Sequence, residues 1–481
     1  MKFNRISKIA LMAAGLSFMF SCNDDRLDLL PILDTPADQA INDVEDMQRA
    51  LNVAYGSIGS TGAMGLNGLV YPELMSDNAF VSLTNDGYFV GVNAMNWTDA
   101  SGDVSAMWGA FYVAVRNANI VIYADLPAEI LNTPEAQAVI AQAKAIRGMA
   151  YFYLYQYYSP SPDLDANSPY GIVINNMPYE PGNPPLARST APETVTAILS
   201  DLNDALAYAP DTAPNKYTFT KTTVNFLLAK VYLYIKDNQK AMQHANAVLA
   251  QAGSGFYNFV SNDDYLDYFT SADNTGKQEN RPETIWEVPQ DVNFNFSVNA
   301  HMGAFFARTG QHRSILYRPV FKDTFAASDI RKPLFENSGL AGDDPAGVFI
   351  KKYQRTNDEG PFTQNIKVFR MTEAKFLLWE AMAKAGQGAD ALAAVNDFAV
   401  SRGGLGNYSG DALTAVLTEK QKEFFAEGTR FLDLKSNSLP IVKVSNCPSN
   451  CNIPASDKLF VMPIPFGELN LNPNMVQTPG W

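Results

Sequence analysis

Histidine and cysteine are scarce in this chain: three of each among 481 residues. That excludes the repeated Cys/His clusters of a zinc-finger or zinc-ribbon protein. Basic residues are in deficit, with 36 Lys and Arg against 50 Asp and Glu and a formal charge of −14. A chain this acidic has no general electrostatic footprint for nucleic acid, and no such partner is expected. After Phe20 no apolar run is long enough to span a bilayer. Gly-x-Ser-x-Gly, the P-loop and a Gly-x-Gly-x-x-Gly following a strand are all missing. The usual signatures of serine hydrolases and nucleotide enzymes therefore fail, and no motif asks for a cofactor.

Apolar material is plentiful. Hydrophobic residues make up 47% and aromatics 12% of the chain, with 22 Tyr and 29 Phe. This is a globular composition with enough surface for a large core. At about 150 residues per domain, the length allows about three domains, or one large domain with insertions.

The N-terminus reads as a targeting segment. Lys2, Arg5 and Lys8 precede an uncharged run from Ile9 to Phe20, too short to cross a membrane and the right length for a signal-peptide core. Ser21-Cys22 follows directly and resembles a bacterial lipoprotein processing site, so Cys22 is expected to be lipidated. Residues 1–21 are then the leader, 22–38 an acidic tether with Pro31 and Pro36, and 39–481 the folded domain. Loss of the three basic residues makes the mature chain more acidic still, at −17. The other two cysteines lie in Cys447-Pro448-Ser449-Asn450-Cys451. In an exported protein they predict a small disulfide loop. A metal pair is the alternative, and it lacks a second Cys or His pair at suitable spacing.

Helical periodicity organises much of the rest. A helix is predicted over about Val44 to Tyr55, loops over 56–105, and a helix from Trp108 to Tyr123. Val139, Ala143, Ile146, Ala150, Leu154 and Tyr157 recur at spacings of three and four along one helix face. A Pro-rich insertion runs from Ser159 to Pro192, and Pro192 opens a helix that Pro210 closes. Leu228, Ala229, Tyr232, Ala241, Ala245 and Val248 show the small/large alternation of a tetratricopeptide helix pair. The pattern returns at Leu378, Met382, Ala391, Val395 and Phe398. The expected fold is mostly α: about four such pairs, mainly in 40–252 and 366–440. A loop-rich, minor-β region occupies 253–365 and 441–481, with a strand at Thr284–Val288.

Several motifs, in order along nearly the whole chain, resemble the SusD/RagB family of Bacteroidetes. They include Leu27-Asp28-Leu29-Leu30-Pro31 after the lipoprotein cysteine, Trp108-x3-Tyr112 with Arg116-Asn117-Ala118-Asn119, and Ala143-Lys144-Ala145-Ile146-Arg147-Gly148. Further along come Asp201-Leu202-Asn203-Asp204-Ala205-Leu206, Arg370-Met371-Thr372-Glu373-Ala374-Lys375, and Phe425-Ala426-Glu427-Gly428-Thr429-Arg430-Phe431. The close is Pro463-Ile464-Pro465 and Gln477-Thr478-Pro479-Gly480. Two positions depart from the pattern: Glu419-Lys420, where the family often has Glu-Arg, and Gly171-Ile172-Val173-Ile174, where it often has Gly-x-x-Pro-Leu. The resemblance implies a surface-exposed outer-membrane lipoprotein that binds a nutrient, usually a glycan, and caps a SusC-like TonB-dependent barrel. Asp24 and Asp25 resemble the export signal of such lipoproteins.

Charged helix residues such as Arg147, Glu373, Glu427 and Arg430 are expected to pair and fix helix register. Ligand chemistry is expected in loops. A sugar ring stacks its C–H face on an aromatic, and its hydroxyls seek amides and carboxylates. Trp97 beside Asn96, with Asp77 and Tyr88 nearby, fits that need, and the resemblance to starch-binding relatives implies a Trp platform with an Asn in this region. A second cluster is Phe294 and Phe296 in an Asn/Phe alternation that reads as a strand, with Arg308 further on. Trp108 and Trp286 read as core. His301, His312 and Ser314 have no framework for a hydrolase triad. Asp163-x-Asp165-x-Asn167 begins like a calcium loop and lacks its glycine and bidentate glutamate. The reading is therefore oligosaccharide capture without catalysis. Peptide capture, a surface glycoside hydrolase using loop carboxylates such as Glu73, Asp77, Asp99 and Asp103, and a pure repeat scaffold are the alternatives. Cys22→Ser is expected to release the protein from membranes or leave it unprocessed; fatty-acid labelling and retention in the outer-membrane fraction of that variant would refute the anchor.

Overall fold

The computed structural model describes residues 41–178, 182–270, 279–337, 339–353, 356–357 and 360–481. The leader, Cys22 and the tether lie outside the described residues.

Asp43 begins the first helix, α1 (Val44–Ile58), by accepting from the Asp46 amide, as a short polar side chain does at an N-cap. α2 (Asn67–Met75) comes next, then strand β1 (Ala79–Val81), the short α3 (Val90–Ala94) and α4 (Gly102–Ile122). The expectation of loops throughout 56–105 is corrected by α2. Its residues from Gly68 to Met75 are all buried, so no polar face produces a period for the eye to find. α5 (Pro134–Tyr158) takes Pro134 in its first turn behind the Thr133 cap. α6 (Ala191–Tyr208) opens on a reciprocal capping box between Thr190 and Glu193. α7 (Lys221–Tyr234) and α8 (Asn238–Leu249) are separated by a tight turn in which Lys236 takes φ 69° and Asp237 caps α8. β2 (Thr284–Val288) occupies the stretch expected as strand, and β3 (Ile315–Tyr317) and β4 (Ile366–Arg370) follow. α9 (Met371–Lys384) and α10 (Gly388–Ser401) turn at Gly386, φ 84°. α11 (Ala412–Glu423) and α12 (Arg430–Ser436) come last among the longer helices.

The helices pack as a series. α1 lies along α4, α4 along α5, and α5 along α6. α6 touches α7, then α7, α8, α9, α10 and α11 each pack on the next. Ala229, Ala241 and Ala245 have no exposed surface, which lets α7 and α8 approach closely. α7 and α8 are thus packed together through small residues. α5 is enclosed by its neighbours, and from Ala145 to Tyr158 every residue is buried. Its tyrosines reach outward for partners: Tyr151 donates to the Asn175 carbonyl at 2.6 Å and Tyr158 to that of Val104 at 2.6 Å.

The strands are accessories. β1 pairs antiparallel with β3, Ala79 opposite Tyr317, and β2 pairs antiparallel with β4. Trp286 and Trp108 are core, at 2% and 3% exposure. The Asn/Phe alternation at 293–296 does not form a strand. The Asp291 carboxylate accepts from the amides of Asn293 and Phe294, both at 2.7 Å. That side chain supplies the local partners and turns the backbone away from a ladder.

The helix charges are paired. Arg147 meets Asp201 through two bonds of 2.7 and 2.6 Å, and Lys230 meets Glu373 at 2.6 Å. A larger buried network sits where α9, α10 and α11 meet the irregular region. Glu423 receives Arg331 at 3.3 Å, Arg370 at 3.5 Å and Arg402 at 3.2 Å. Arg370 also holds Glu283 at 3.0 Å and Glu427 at 2.6 Å, and Lys352 reaches Glu427 at 2.6 Å. Arg331 adds Asp329 at 2.8 Å and Glu419 at 2.7 Å. Burial pushes the Glu423 carboxyl up, but Arg402, Arg370 and Arg331 outweigh it and hold it down at about 2. Arg370→Met leaves Glu283 and Glu427 buried without their shared cation and is expected to cost about 3–5 kcal/mol in denaturant unfolding. Arg370→Lys should recover little, because an ammonium cannot reproduce the planar multidentate contact. A loss below about 1 kcal/mol, the scale of an exposed pair, would show that the network contributes no more than surface charges do.

Candidate functional site

The segment between α2 and α4 carries the site, and its foundation is rigid. Glu73 on α2 is fully buried. It accepts from the Tyr317 hydroxyl at 2.6 Å and from the Gly428 amide at 2.9 Å. Desolvation raises its carboxyl to about 7, although Tyr317 and Gly428 pull the other way. Gly428 has φ 75°, and a Cβ there would lie 2.8 Å from the Leu69 Cα, so only glycine brings this amide so close. β1 then leads outward along β3.

Beyond β1, residues 83–88 are exposed in sequence: Leu83, Thr84, Asn85, Asp86, Gly87 and Tyr88. The loop is pinned at both ends. The Asp343 carboxylate accepts from Ser82 Oγ at 2.7 Å and from the Leu83 amide at 2.8 Å. Asn85 closes the turn by donating to the Ser82 carbonyl at 2.6 Å and accepting from the Gly87 amide at 2.9 Å, the local bonding that makes Asn a turn residue. At the far end Asp86 is hydrogen-bonded to Nδ1 of His312. The His312 ring stacks on Phe305, centroids 4.9 Å apart at 15°. Tyr88 lies over both, 4.4 Å from His312 and 5.4 Å from Phe305. Tyr88 is 40% exposed, so it forms an open aromatic shelf on a packed base. The same loop walls a cleft of about 380 Å³ lined by Leu83, Asn85, Val90, Asp343, Asn446 and Pro448 among others. That volume suits a small ligand or part of a larger one.

Cys447 and Cys451 are joined by a disulfide, with Cα atoms 5.8 Å apart. The enclosed loop grips the end of α3: Ser449 Oγ and Asn450 Nδ2 each donate to the Ala94 carbonyl at 2.9 Å. The disulfide loop is therefore one wall of the cleft and a brace for the segment leading to Trp97.

Trp97 is not the open platform its polar loop suggests. It is 4% exposed, belongs to the main core and has no partner for its indole N–H among the described residues. The polar residues around it in sequence face outward while the ring turns in; Asn96 is exposed. Asp77 is half-buried and occupied, with Arg430 on both its oxygens at 2.9 and 2.8 Å, so it anchors the base of the segment. Phe294 is 63% exposed on the Asp291 turn. Phe296 faces the other way, packing so tightly on Gly65 that a Cβ there would lie 2.6 Å from its ring. Arg308 is exposed and paired with Glu336 at 2.8 Å. Of the residues singled out from sequence, Tyr88 is the one at the centre of the shelf. Sequence reasoning missed Leu83, Asn85, Asp86 and Asp343 and left His312 without a role. The usable signal was Asn85-Asp86-Gly87, a turn immediately before Tyr88-Phe89.

His301 is buried; its Nε2 bonds the Gln364 carbonyl at 2.8 Å and its Nδ1 accepts from the Gly303 amide at 3.0 Å. Burial pushes its pKa down to about 4, and the ring is spent on the fold. Asp163 pairs with Lys236 at 3.1 Å. No group of three or more His, Cys, Asp and Glu that could hold a metal ion occurs among the described residues. Trp97→Ala is expected to lower folding stability by about 3–5 kcal/mol, the cost of emptying a core site, measured by thermal or denaturant unfolding. A change within experimental error would return Trp97 to the surface.

Two family models match the chain. One, described as starch-binding and associating with the outer membrane, covers residues 32–233; the other, described as the SusD family, covers 229–481. Two SusD-like proteins of Formosa agariphila are similar. One is 29% identical over 207 residues, covering 42% of this chain and only 39% of that protein; the other is 22% identical over 90% of this chain and 91% of that protein. Among solved structures, a putative sugar-binding protein of Bacteroides vulgatus superposes with a TM-score of 0.81 at 23% identity, over 92% of this chain and 99% of the other. A SusD superfamily protein of Bacteroides thetaiotaomicron gives 0.80 at 21% identity, over 91% and 100%. The mostly helical fold is thus that of the SusD superfamily, and since the second family model spans more than half of its residues, the chain belongs to the SusD/RagB family.

Proposed function

We propose that this protein captures oligosaccharides at the cell surface and passes them to a SusC-like TonB-dependent barrel in the outer membrane, to which Cys22 tethers it by lipid. The observation that carries the reading is the Tyr88 shelf: an exposed ring on the Asp86–His312–Phe305 base, beside a cleft with amide and carboxylate groups on its wall. An aromatic face and convergent hydrogen-bonding groups are what a pyranose needs. The family description, starch-binding and associating with the outer membrane, supports it, and one superposing structure is named a SusD-like carbohydrate binding protein. No helix among the described residues is long and apolar enough to cross a membrane, which is compatible with a lipid tether. Binding involves no chemical step. The ring selects the sugar face and the cleft selects what extends from it.

Tyr88→Ala is expected to weaken binding of a recognised oligosaccharide by about 1–3 kcal/mol, the scale of a lost aromatic anchor. Melting temperature should hardly move, because a ring already open to solvent leaves little cavity. The measurement is calorimetric titration of a polysaccharide panel against both proteins, with product analysis of each sample. Unchanged affinity would remove the shelf from the site and turn attention to Phe294. Saturable binding of peptides alone would favour the peptide reading, and released sugars would favour the hydrolase.

A further inference from the structure

Among the described residues, three buried lysines have main-chain carbonyls and no carboxylate as hydrogen-bond partners. Lys443 is held by the carbonyls of Leu74 and Asn93, Lys216 by that of Phe256, and Lys435 by those of Gln156 and Ser159. Lys435 is also placed on the wall of a cavity of about 290 Å³. We propose that this cavity is a second binding site, for a small molecule with an apolar body and one carboxylate, the carboxylate meeting the Lys435 ammonium.

The cavity is formed where α12 and the start of the insertion after α5 meet the C-terminal segment. Leu164, Tyr170, Phe460, Val461 and Trp481 give it a largely apolar wall. Lys435 is 2% exposed. Its Nζ donates to the Gln156 carbonyl at 2.6 Å and the Ser159 carbonyl at 2.8 Å, and no third acceptor contacts it among the described residues. An ammonium has three protons to place, so the two carbonyls leave one without an acceptor among the described residues. Burial alone, with no neighbouring charge to offset it, drives this lysine down to about 7. A buried cation without a counter-ion is a costly arrangement that an incoming carboxylate relieves.

The other charged residues on the wall are already engaged or open to solvent. Asp457 accepts from the Leu459 amide at 2.9 Å, and Lys458 donates to the Gly480 carbonyl at 2.7 Å with its Nζ 4.2 Å from the Trp481 ring centroid. Asp165 is exposed and accepts from the Asn167 amide at 3.1 Å. Lys435, buried and without a carboxylate partner among the described residues, thus shares the cavity wall with apolar rings. A neutral sugar would use the rings and could accept the proton through a hydroxyl but would bring no counter-charge, and a bare inorganic anion would meet the ammonium and leave the rings unused.

The test is calorimetric and saturation-transfer NMR titration of the full-length protein with benzoate, its neutral isostere benzamide, and inorganic phosphate. Benzoate is expected to bind saturably, at least about tenfold more tightly than benzamide, the factor expected of a charge-assisted hydrogen bond. Lys435→Met should erase that preference. Trp481→Ala, which leaves Lys435 and its carbonyls intact, should weaken benzoate binding and keep the preference, so the proposal stays testable even where Lys435→Met fails to fold. No saturable benzoate binding, a preference that survives Lys435→Met, or affinity unmoved by Trp481→Ala would each overturn the site. Phosphate binding as tightly as benzoate would overturn the apolar-body assignment.

Discussion

Glu423 is the point on which the two halves of the architecture depend. It has no exposed surface, and an isolated carboxylate there would be prohibitively costly. It is tolerable because guanidiniums arrive from three places: Arg331 from the irregular region, Arg370 from the end of β4, and Arg402 from the end of α10. Each alone would be a pair; together they fix α11 against the helical stack and the loop-rich region at once. The requirement is mutual, since every guanidinium is also buried and needs the carboxylates around it. Such a network joins segments distant in sequence, because removing any one member leaves its partners buried and uncompensated.

From that network a short path leads to the shelf. Glu427, in the turn just after α11, pairs with Arg370 and Lys352, and its neighbour Gly428 gives its amide to Glu73. Glu73 holds the Tyr317 hydroxyl, Tyr317 stands opposite Ala79, and β1 runs from there into the exposed loop. Asp343 and His312 then fix the two ends of that loop. The aromatic surface is thus preorganised by contacts that begin in the interior, so its order does not depend on a bound molecule.

How legible this was depended on period. The helix pairs repeat small and large residues at spacings a sequence shows directly, and Ala229, Ala241, Ala245, Ala391 and Val395 are buried where the pattern put them. α2 was invisible because it has no polar side, and Phe294 and Phe296 misled because one carboxylate, Asp291, overrode an alternation that looks like a strand. Trp97 was misread for a related reason. Its neighbours in sequence are polar, but the residues that enclose an indole come from elsewhere in the fold, and local composition does not report them.

The shelf and cleft illustrate the same limit from the functional side. Their residues come from 80–93, 305–312, 342–344 and 446–448, four stretches with no common period and no signature of their own. What brings them together is backbone geometry: the β1–β3 pairing, the Asp343 anchor and the disulfide loop on α3. The motifs that carry the family resemblance sit mostly in the foundation, at Arg147, Arg370, Glu427, Gly428 and Arg430, where burial and charge pairing leave little freedom. The exposed loop from Leu83 to Tyr88 is under no such packing constraint apart from its two anchors. A fold of this kind can therefore keep its interior while that loop varies, which is why sequence identifies the scaffold more readily than the surface the loop presents.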